Sequence, residues 1–356
     1  MLGLLALGLT AIMIYTLVKN ALLGKQLSTE DEFNGSVELL IPVVENSELF
    51  LEAWPKSLSG QVKVHILVDG HHPSLGAWQE LKSQISYLEI HNFPMRPSDA
   101  EAIPWMLDQM SSKISSSVVI IGDPELIPTE FAFSSIGRSV TEKKRSYYVV
   151  PQTAKFNVVG EAVSALNPTL AYASFFGFKK WRRNVAHPLL SISQGWMAMS
   201  FENFKALDFK LNRGGSWKES ISRQWEEQRK IYHLAFGEKQ LLRYYPQDLK
   251  LLALQIKHGW ELLWKRKDKL GFSLFAMTVF LWAFPFLCFL THPFWALASF
   301  CLLILYRFFS KIVFQESWRA IILHPLACVF WIGSLGWFIS DVVREKYFRK
   351  QNQGMN

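Results

Sequence analysis

Cysteine is scarce in this sequence, and its few copies are isolated from one another. The three cysteines among 356 residues are Cys288, Cys301 and Cys328, and none lies in a CxxC pair. Zinc sites and disulfide frameworks are normally recognised by paired cysteines at short spacing, so both have little support here. All three lie in apolar C-terminal sequence, where we expect them to act as small apolar side chains inside membrane helices.

Motifs that define several common protein classes are also missing. The sequence has no G-x-S-x-G turn, which excludes the Ser-His-Asp hydrolases built on that elbow. No glycine-rich turn follows the first apolar strand, which excludes P-loop and Rossmann nucleotide sites. The sequence also lacks internal repeats, and this disfavours a secondary transporter.

Acidic residues are outnumbered by basic ones, and the net charge is +8. The basic residues form short clusters beside apolar segments, at residues 179–183, 265–267 and 344–350. Clusters of this kind usually face anionic lipid headgroups on the cytoplasmic side of a membrane. No aromatic motif for stacking nucleic-acid bases accompanies them. The charge pattern therefore predicts membrane lipids as partners and no nucleic acid.

Long apolar runs are present at both ends of the chain. Residues 2–18 carry no charge and are followed by basic residues, which predicts an uncleaved N-terminal anchor. Three further apolar runs cover residues 271–290, 293–306 and 320–340. Four spans would put the C-terminus outside, whereas the basic tail favours the cytoplasmic side. One run is therefore expected to be re-entrant or interfacial, and the sequence leaves open which one.

The middle of the chain alternates between apolar strands and helical stretches. The predicted strands cover residues 37–42, 62–70, 87–91 and 118–121, and the predicted helices cover residues 48–58, 75–84 and 99–113. This alternation predicts a parallel sheet covered on both faces. Ligands bind such sheets at the carboxyl ends of the strands, which points to residues 42–46, 69–70 and 123–125.

The stretch VVIIGDPELIP places two acids, Asp123 and Glu125, directly after a buried strand. Carboxylates spaced i,i+2 at a strand end supply the hard oxygen ligands that a divalent cation prefers. The same Asp-Pro-Glu sequence is also ordinary turn chemistry. A metal site and a simple turn both remain open from the residues alone.

Three strand-end stretches carry a resemblance to a known family: IPVVEN from Ile41, ILVDGHH from Ile66 and IIGDPELIP from Ile120. They resemble the I-P-x-x-N-E, V-D-D-G-S and D-x-D motifs of the family 2 glycosyltransferases, which have the GT-A fold. With apolar segments at both ends, the chain resembles the membrane-anchored carotenoid- and hopanoid-associated glycosyltransferases and the ceramide glucosyltransferases. Further similar stretches are residues 194–204, 223–225 and 323–326.

The resemblance implies a role for each matching residue. Asp123 and Glu125 would hold Mg²⁺ or Mn²⁺ on the diphosphate of a nucleotide-sugar co-substrate. Pro42, Asn46 and Asp69 would contact that donor.

Two further sets of residues would act on the acceptor. Asp208 and Glu219 are the candidate catalytic bases, although they do not form the paired acids of the family. Arg223, Gln224 and Trp225 would lie on the acceptor side, with simple interface packing as the alternative for Trp225. The V-D-D-G acid pair is reduced to a single Asp69, and the usual Gly-Lys is absent from residues 95–100.

The predicted fold is therefore α/β, a GT-A-like (nucleotide-diphospho-sugar transferase) domain with N-terminal and C-terminal transmembrane helices. Its parts are an anchor at 1–19, the GT-A-like domain at 36–240, an amphipathic connector at 241–269, a membrane region at 270–342 and a basic tail at 343–356.

The predicted function is transfer of a sugar from a nucleotide-sugar donor to a lipid, lipid-linked or otherwise hydrophobic acceptor. We expect a multi-pass protein of the bacterial inner membrane with a cytoplasmic GT-A-like domain. The alternative is a catalytically degenerate relative with a binding or scaffold role in the cell envelope.

Overall fold

A computed structural model gives the fold of the chain. The structure describes residues 2–23, 25–26, 33–44, 49, 51–58, 60–70, 72–98, 100–153, 174, 195–210, 217–228, 232–243, 249–265, 269–289, 291–314 and 318–353. They belong to two compact units. One holds the sheet, within residues 20–154 and 176–244, and the other holds most of the apolar helices, within residues 1–19, 155–175 and 245–356.

Nine strands of the described residues form one mixed sheet. They are β1 (Lys25–Gln26), β2 (Ser36–Val43), β3 (Gln61–Asp69), β4 (Leu88–Phe93), β5 (Val118–Ile121), β6 (Leu126–Pro128), β7 (Ser146–Thr153), β8 (Trp196–Ser200) and β9 (Tyr232–Arg243). The spatial order is β1-β9-β7-β8-β5-β2-β3-β4, and β6 pairs with β9. Strands β4, β3, β2 and β5 run parallel, as predicted, whereas β8 is antiparallel to both of its neighbours.

The central strands are buried because their side chains are mainly β-branched and apolar. One face of β2 and β3, including Leu39, Ile41, Val64 and Ile66, belongs to the main hydrophobic core. The helices of this unit are α2 (Leu75–Lys82), α3 (Ala102–Ser111), α4 (Ala132–Lys143), α5 (Phe201–Lys205) and α6 (Trp217–Glu227). Helix α4 packs on the core face, where Phe133 is fully buried.

The predicted helix at residues 48–58 is wrong over the described part of that range. Residues Leu51–Ala53 form a single 3-10 turn, and Ser57 lies in a bend. Pro55 explains why a helix does not continue, because its ring removes a backbone donor and restricts the residue before it. The predicted helices at 75–84 and 99–113 are present but shorter, as α2 and α3.

The other unit is helical. The helices that lie wholly or mostly within it are α1 (Leu2–Leu23), α7 (Leu249–Lys265), α8 (Lys269–Leu287), α9 (Pro293–Phe314), α10 (Trp318–Ile322) and α11 (His324–Gln353). Within the described residues, three helical segments are long and apolar enough to cross a membrane: Gly3–Asn20, Pro293–Ile312 and His324–Arg344. The apolar part of α8, Phe272–Leu287, is shorter.

Helix α7 lies inside the predicted connector and is amphipathic. Leu252, Ile256, Trp260 and Leu263 form a buried stripe at helical spacing. The ring centroid of Trp260 lies 4.6 Å from that of Phe275 in α8. This helix therefore packs against the apolar helices of its own unit. The sheet reaches Arg243 through β9, three residues past the predicted end of the domain at 240.

The predicted fold class is confirmed. The middle of the chain is an α/β domain with a mainly parallel central sheet, and apolar helices of membrane-spanning length lie at the N-terminus and in the C-terminal region.

Candidate functional site

The carboxyl ends of β2, β3 and β5 meet at one edge of the sheet, because the three strands are adjacent and parallel. Asp69 ends β3, and Asp123 follows β5 after Gly122. The strands β3 and β5 flank β2, so two interstrand spacings, about 10 Å, separate these two strands. Both acids therefore follow strands that end at the same edge of the sheet.

Gly122 fixes the exit of the chain from β5. Its backbone N–H donates to the carbonyl of Leu40 at 2.9 Å, which extends the pairing with β2 by one residue. A Cβ at this position would lie 2.7 Å from Nε1 of Trp196 and 2.9 Å from Cδ1 of Leu39. Glycine is needed here because the backbone passes so close to these two side chains. Asp123 is thereby held at a defined position.

The Asp123 carboxylate accepts two hydrogen bonds on one oxygen. The backbone N–H of Gly195 donates to Oδ2 at 2.7 Å, and the ammonium of Lys218 donates to the same atom at 2.5 Å. Lys218 lies near the start of α6, and its side chain is only 8% exposed. The ion pair is therefore largely shielded from water. Charges attract each other more strongly in such an environment than they do in water.

Lys218 stays charged despite its burial. Burial alone lowers the pKa of Lys218, but the charge of Asp123 and the hydrogen bond to it outweigh burial, so this pKa is raised above its ordinary value. Glu125 adds a weaker effect in the same direction. The ammonium also lies 5.9 Å from the ring centroid of Tyr148 and 5.4 Å from that of Trp217. Two aromatic faces therefore help to hold the cation.

The backbone of Gly195 passes close to the same tyrosine. A Cβ on Gly195 would lie 2.5 Å from Cζ of Tyr148. Only a residue without a side chain therefore lets the backbone approach Asp123 here. Tyr148 and Trp196 lie on the neighbouring strands β7 and β8. The Asp123 site thus joins β5, β7, β8 and α6.

The predicted divalent cation fits this arrangement poorly. Oδ2 of Asp123 already has two donors, and one of them is an ammonium group. A cation on the same carboxylate would lie close to the Lys218 charge and be repelled by it. Glu125 is half-buried and also lies in the field of Lys218. The chain therefore already supplies a positive charge where the resemblance implies a metal.

Sequence reasoning missed Lys218, although its position carries a signal. The buried face of α6 includes Ile221 and Trp225, which follow Lys218 by three and seven residues. A lysine at this spacing belongs to the buried face of an amphipathic helix. A buried lysine needs an acidic partner, and a strand-end acid is the natural one.

Asp69 is also paired with a basic residue. Nε of Arg96 donates to Oδ2 of Asp69 at 3.1 Å, and a second guanidinium nitrogen of Arg96 donates to the carbonyl of Ala100. Gly70 follows with φ of +73°, a left-handed conformation that favours glycine. Arg96 lies within the segment 95–100, where the resemblance leads one to expect a lysine, so this segment does supply a cation.

The other two predicted donor contacts differ in status. Pro42 is buried in β2, opposite Leu67 of β3 in the parallel register. Asn46 lies outside the described residues. Their contact with a donor stays a prediction.

The two predicted catalytic acids lie in different environments. Asp208 is exposed, and its Oδ1 accepts from the backbone N–H of Lys210 at 3.0 Å. Glu219 is buried on α6, and its Oε1 accepts from Nη2 of Arg223 at 2.6 Å. The Asp208 carboxylate is accessible to a hydroxyl group from solution, whereas that of Glu219 is held by a guanidinium. Their catalytic role stays a prediction.

The three predicted acceptor-side residues also lie in different environments. The side-chain amide of Gln224 accepts from the N–H of Asp208 and donates to its carbonyl, both at 2.8 Å. Gln224 therefore attaches the segment that carries Asp208 to α6. Trp225 is fully buried in the interior of the domain, and Arg223 is the exposed member of the three.

Comparisons with known proteins give similarity at the level of structure. No protein-family model matches the chain, and no curated protein sequence matches it. A solved structure of the mannosyltransferase PcManGT from Pyrobaculum calidifontis, in complex with GDP-Man and Mn²⁺, is 11% identical. That alignment covers 96% of this chain and 99% of the other, with a TM-score of 0.46.

Two further similar structures come from bacteria. Glucosyl-3-phosphoglycerate synthase of M. tuberculosis is 16% identical over 65% of this chain and 81% of its own, with a TM-score of 0.39. S. aureus TarS 1-349 is 10% identical over 88% of this chain and 92% of its own, with a TM-score of 0.38. Complexes with Mn²⁺ and UDP-Glc, and with UDP-GlcNAc, are among these structures.

Proposed function

We propose that this chain is a membrane-bound glycosyltransferase of the family 2 type, which moves a sugar from a nucleotide-sugar donor to a lipid or lipid-linked acceptor. The observation that carries the proposal is the buried Lys218–Asp123 pair at the carboxyl ends of the parallel strands. This edge is where open α/β sheets bind nucleotides. Asp69 ends β3 on the other side of β2, and in this proposal it contacts the ribose or base of the same donor.

The proposed reaction breaks the bond between the sugar C1 and the donor diphosphate, and its electron pair leaves with the diphosphate. A bond forms between C1 and an acceptor hydroxyl oxygen, and the hydroxyl proton passes to a base. Developing negative charge on the diphosphate is stabilised by a fixed positive charge. We assign that role to Lys218, because a divalent ion at Asp123 and Glu125 would compete with its ammonium.

We assign the base to Asp208, the accessible one of the two candidate acids. Proton removal by a positioned carboxylate contributes about 10²–10⁴-fold to such reactions. Gln224 is a positioning residue in this proposal, since it holds the backbone of Asp208 at both its N–H and its carbonyl.

A donor-binding panel on the purified full chain tests the proposal. UDP- and GDP-sugars are titrated with and without Mn²⁺ against the wild type, the double variant D123N/K218M and the control K210M. The double variant removes the ion pair without leaving a buried charge alone, and Lys210 is an exposed lysine of the same domain. We expect metal-independent binding, weakened at least about tenfold in the double variant and unchanged in the control.

Two outcomes of the panel would contradict the proposal. Absence of binding for every donor, with and without Mn²⁺, removes the nucleotide-sugar function. Binding that requires Mn²⁺ and is lost in E125Q would support the metal site predicted from the sequence and overturn the role of Lys218.

A second function is favoured by the state of the acids. The two candidate bases do not form an acid pair, because Asp208 is exposed and Glu219 is buried and bonded to Arg223. A protein that binds a donor without turnover would have this appearance, as a degenerate glycosyltransferase with a scaffold role in the cell envelope. Donor binding with no released nucleotide in the presence of membrane lipid extracts would support this alternative.

The apolar helices suggest a membrane topology. With α1, α9 and α11 as the spans and the shorter α8 lying along the membrane, the C-terminal tail and the α/β domain fall on the same side. The basic tail then obeys the positive-inside rule, with the α/β domain cytoplasmic in the bacterial inner membrane. A cysteine introduced at Gln353 should react with an impermeant maleimide in inverted vesicles but not in intact cells.

A further inference from the structure

Four polar side chains lie on the sheet face opposite the main core, on strands β2, β3 and β4. His65 of β3 is in register with Glu89 of β4, and Leu67 is in register with His91. Because alternate residues of a strand point to one face, His65, Glu89 and His91 share that face. Glu38 of β2 lies on it too, since Leu40 is in register with His65. Of the four, Glu38 and His65 lie on the internal strands β2 and β3 and are buried, which is unusual for an acid and a histidine.

The ligand atoms of three of these residues form a compact triangle. Nδ1 of His65 lies 3.0 Å from Nε2 of His91 and 3.4 Å from Oε2 of Glu89. Nε2 of His91 lies 3.5 Å from the same Glu89 oxygen. A tetrahedral zinc site with bonds of about 2.0–2.1 Å has edges of roughly 3.3 Å. The three atoms therefore have the spacing of one face of such a tetrahedron.

We propose that His65, Glu89 and His91 bind a divalent transition-metal ion of the zinc type, with a water molecule as the fourth ligand. Two imidazole nitrogens and one carboxylate oxygen suit Zn²⁺ and related ions better than Mg²⁺ or Ca²⁺, which prefer oxygen alone. Glu89 and His91 are partly exposed, at 48% and 22%, so the ion and its water have access from solvent.

Glu38 supplies the support that a metal-bound histidine normally has. Its Oε2 lies 3.7 Å from Nε2 of His65, the ring nitrogen on the far side from the proposed ion. Its other oxygen accepts from the hydroxyl of Ser116 at 3.0 Å. Among the described residues, Oε2 of Glu38 and Nε2 of His65 are buried without a hydrogen-bond partner. A carboxylate that orients the second nitrogen of a ligating histidine is a recurring feature of zinc sites.

The two carboxylates of the cluster also suit a cation. Glu89 would be a ligand and Glu38 lies next to His65, so a divalent ion would balance the negative charge that both bring to this face of the sheet.

The proposal goes beyond the glycosyl transfer described above and does not rest on it. Strand β4 is at the edge of the sheet, paired on one side with β3. An ion held by His65 of β3 and by Glu89 and His91 of β4 would fasten this edge strand to its neighbour. The consequence is greater stability of the sheet rather than a second reaction.

Zinc titration of the full chain, purified in detergent without a polyhistidine tag, tests the site. Calorimetry measures Zn²⁺ binding, and Co²⁺ serves as a second probe because its visible absorption reports a tetrahedral site. The test variants are H91Q and E89Q, whose side chains are partly exposed and therefore compatible with folding. The matched controls are H292Q and E80Q, an exposed histidine and an exposed glutamate outside the cluster.

We expect one Zn²⁺ per chain, a tetrahedral Co²⁺ spectrum, and at least about tenfold weaker binding in each test variant, with both controls like the wild type. Zinc should also raise the unfolding midpoint of the wild type but not of H91Q. The proposal is overturned if the wild type binds no zinc at this stoichiometry, or if H91Q and E89Q bind it as tightly as the wild type. In either case the three side chains form a metal-free hydrogen-bonded cluster.

Discussion

Replacing Lys218 by Met should destabilise the α/β domain strongly. Met nearly matches the volume of the lysine stem, so packing against Tyr148 and Trp217 is largely kept, but the Asp123 carboxylate loses its partner. Asp123 would retain the N–H of Gly195 as its donor. Removal of one member of a buried ion pair costs about 3–5 kcal/mol. We take the lower end, about 3 kcal/mol, because Asp123 is 13% exposed and partly solvated.

The pH dependence follows from the direction of the Lys218 shift. The pKa of Lys218 is raised in the folded domain, so its contribution is complete below the ordinary lysine value of 10.5 and is lost as pH rises through the folded value. Between pH 6 and pH 9 the wild type should therefore show no loss from this pair.

Pulse proteolysis of the detergent-solubilised chain over a urea series measures these differences in the free energy of unfolding. The variant D123N/K218M should recover most of the loss, because no buried charge is left alone. The control K210M, whose side chain is 80% exposed, should change stability by less than about 0.5 kcal/mol. The reasoning is refuted if K218M is as stable as K210M, or if the double variant is less stable than K218M.

Three further substitutions test the surroundings of the site. Gly195→Ala should lower the free energy of unfolding in urea by about 1–3 kcal/mol, because its Cβ would lie 2.5 Å from Cζ of Tyr148. An unchanged urea midpoint would contradict this close approach of Gly195 to Tyr148. Trp225→Ala should lower the free energy of unfolding by about 3–5 kcal/mol, because the ring is fully buried. If the variant is as stable as the wild type but no longer transfers sugar to the acceptor, Trp225 contacts the acceptor instead. Gln224→Leu should lower kcat for sugar transfer and leave donor affinity unchanged, because the substitution releases the backbone of Asp208 and does not touch Lys218. An equal loss of donor affinity would count against Asp208 as the base.

Four parallel strands of the α/β domain were predictable, and the clearest of them, β2 and β5, are short apolar runs. Residues 118–121 illustrate this, since the predicted and observed strands coincide. The segment 48–58 was not predictable by the same means, because its apolar residues are compatible with a helix until Pro55 and the tertiary packing are considered.

The strand-end acids of the candidate site were predictable, but their partners were not. Asp123 meets Lys218 across 95 positions of sequence, and Asp69 meets Arg96 across 27. Local periodicity contains no information on such distant pairs. The His65–His91 cluster escaped notice for a related reason: only the register of β3 with β4 brings Glu89 opposite His65.

The position of β9 in the sheet has a consequence for how the chain folds during synthesis. Strand β9 pairs with β1, β6 and β7, and its Ala235 is in register with Lys25, about 210 residues earlier. Until Arg243 has left the ribosome, these three strands each lack a neighbour, and their unpaired edges can recruit another chain. Truncation shortly before β9 should therefore give an aggregating product, and a chaperone that shields strand edges would act on this protein late in its translation.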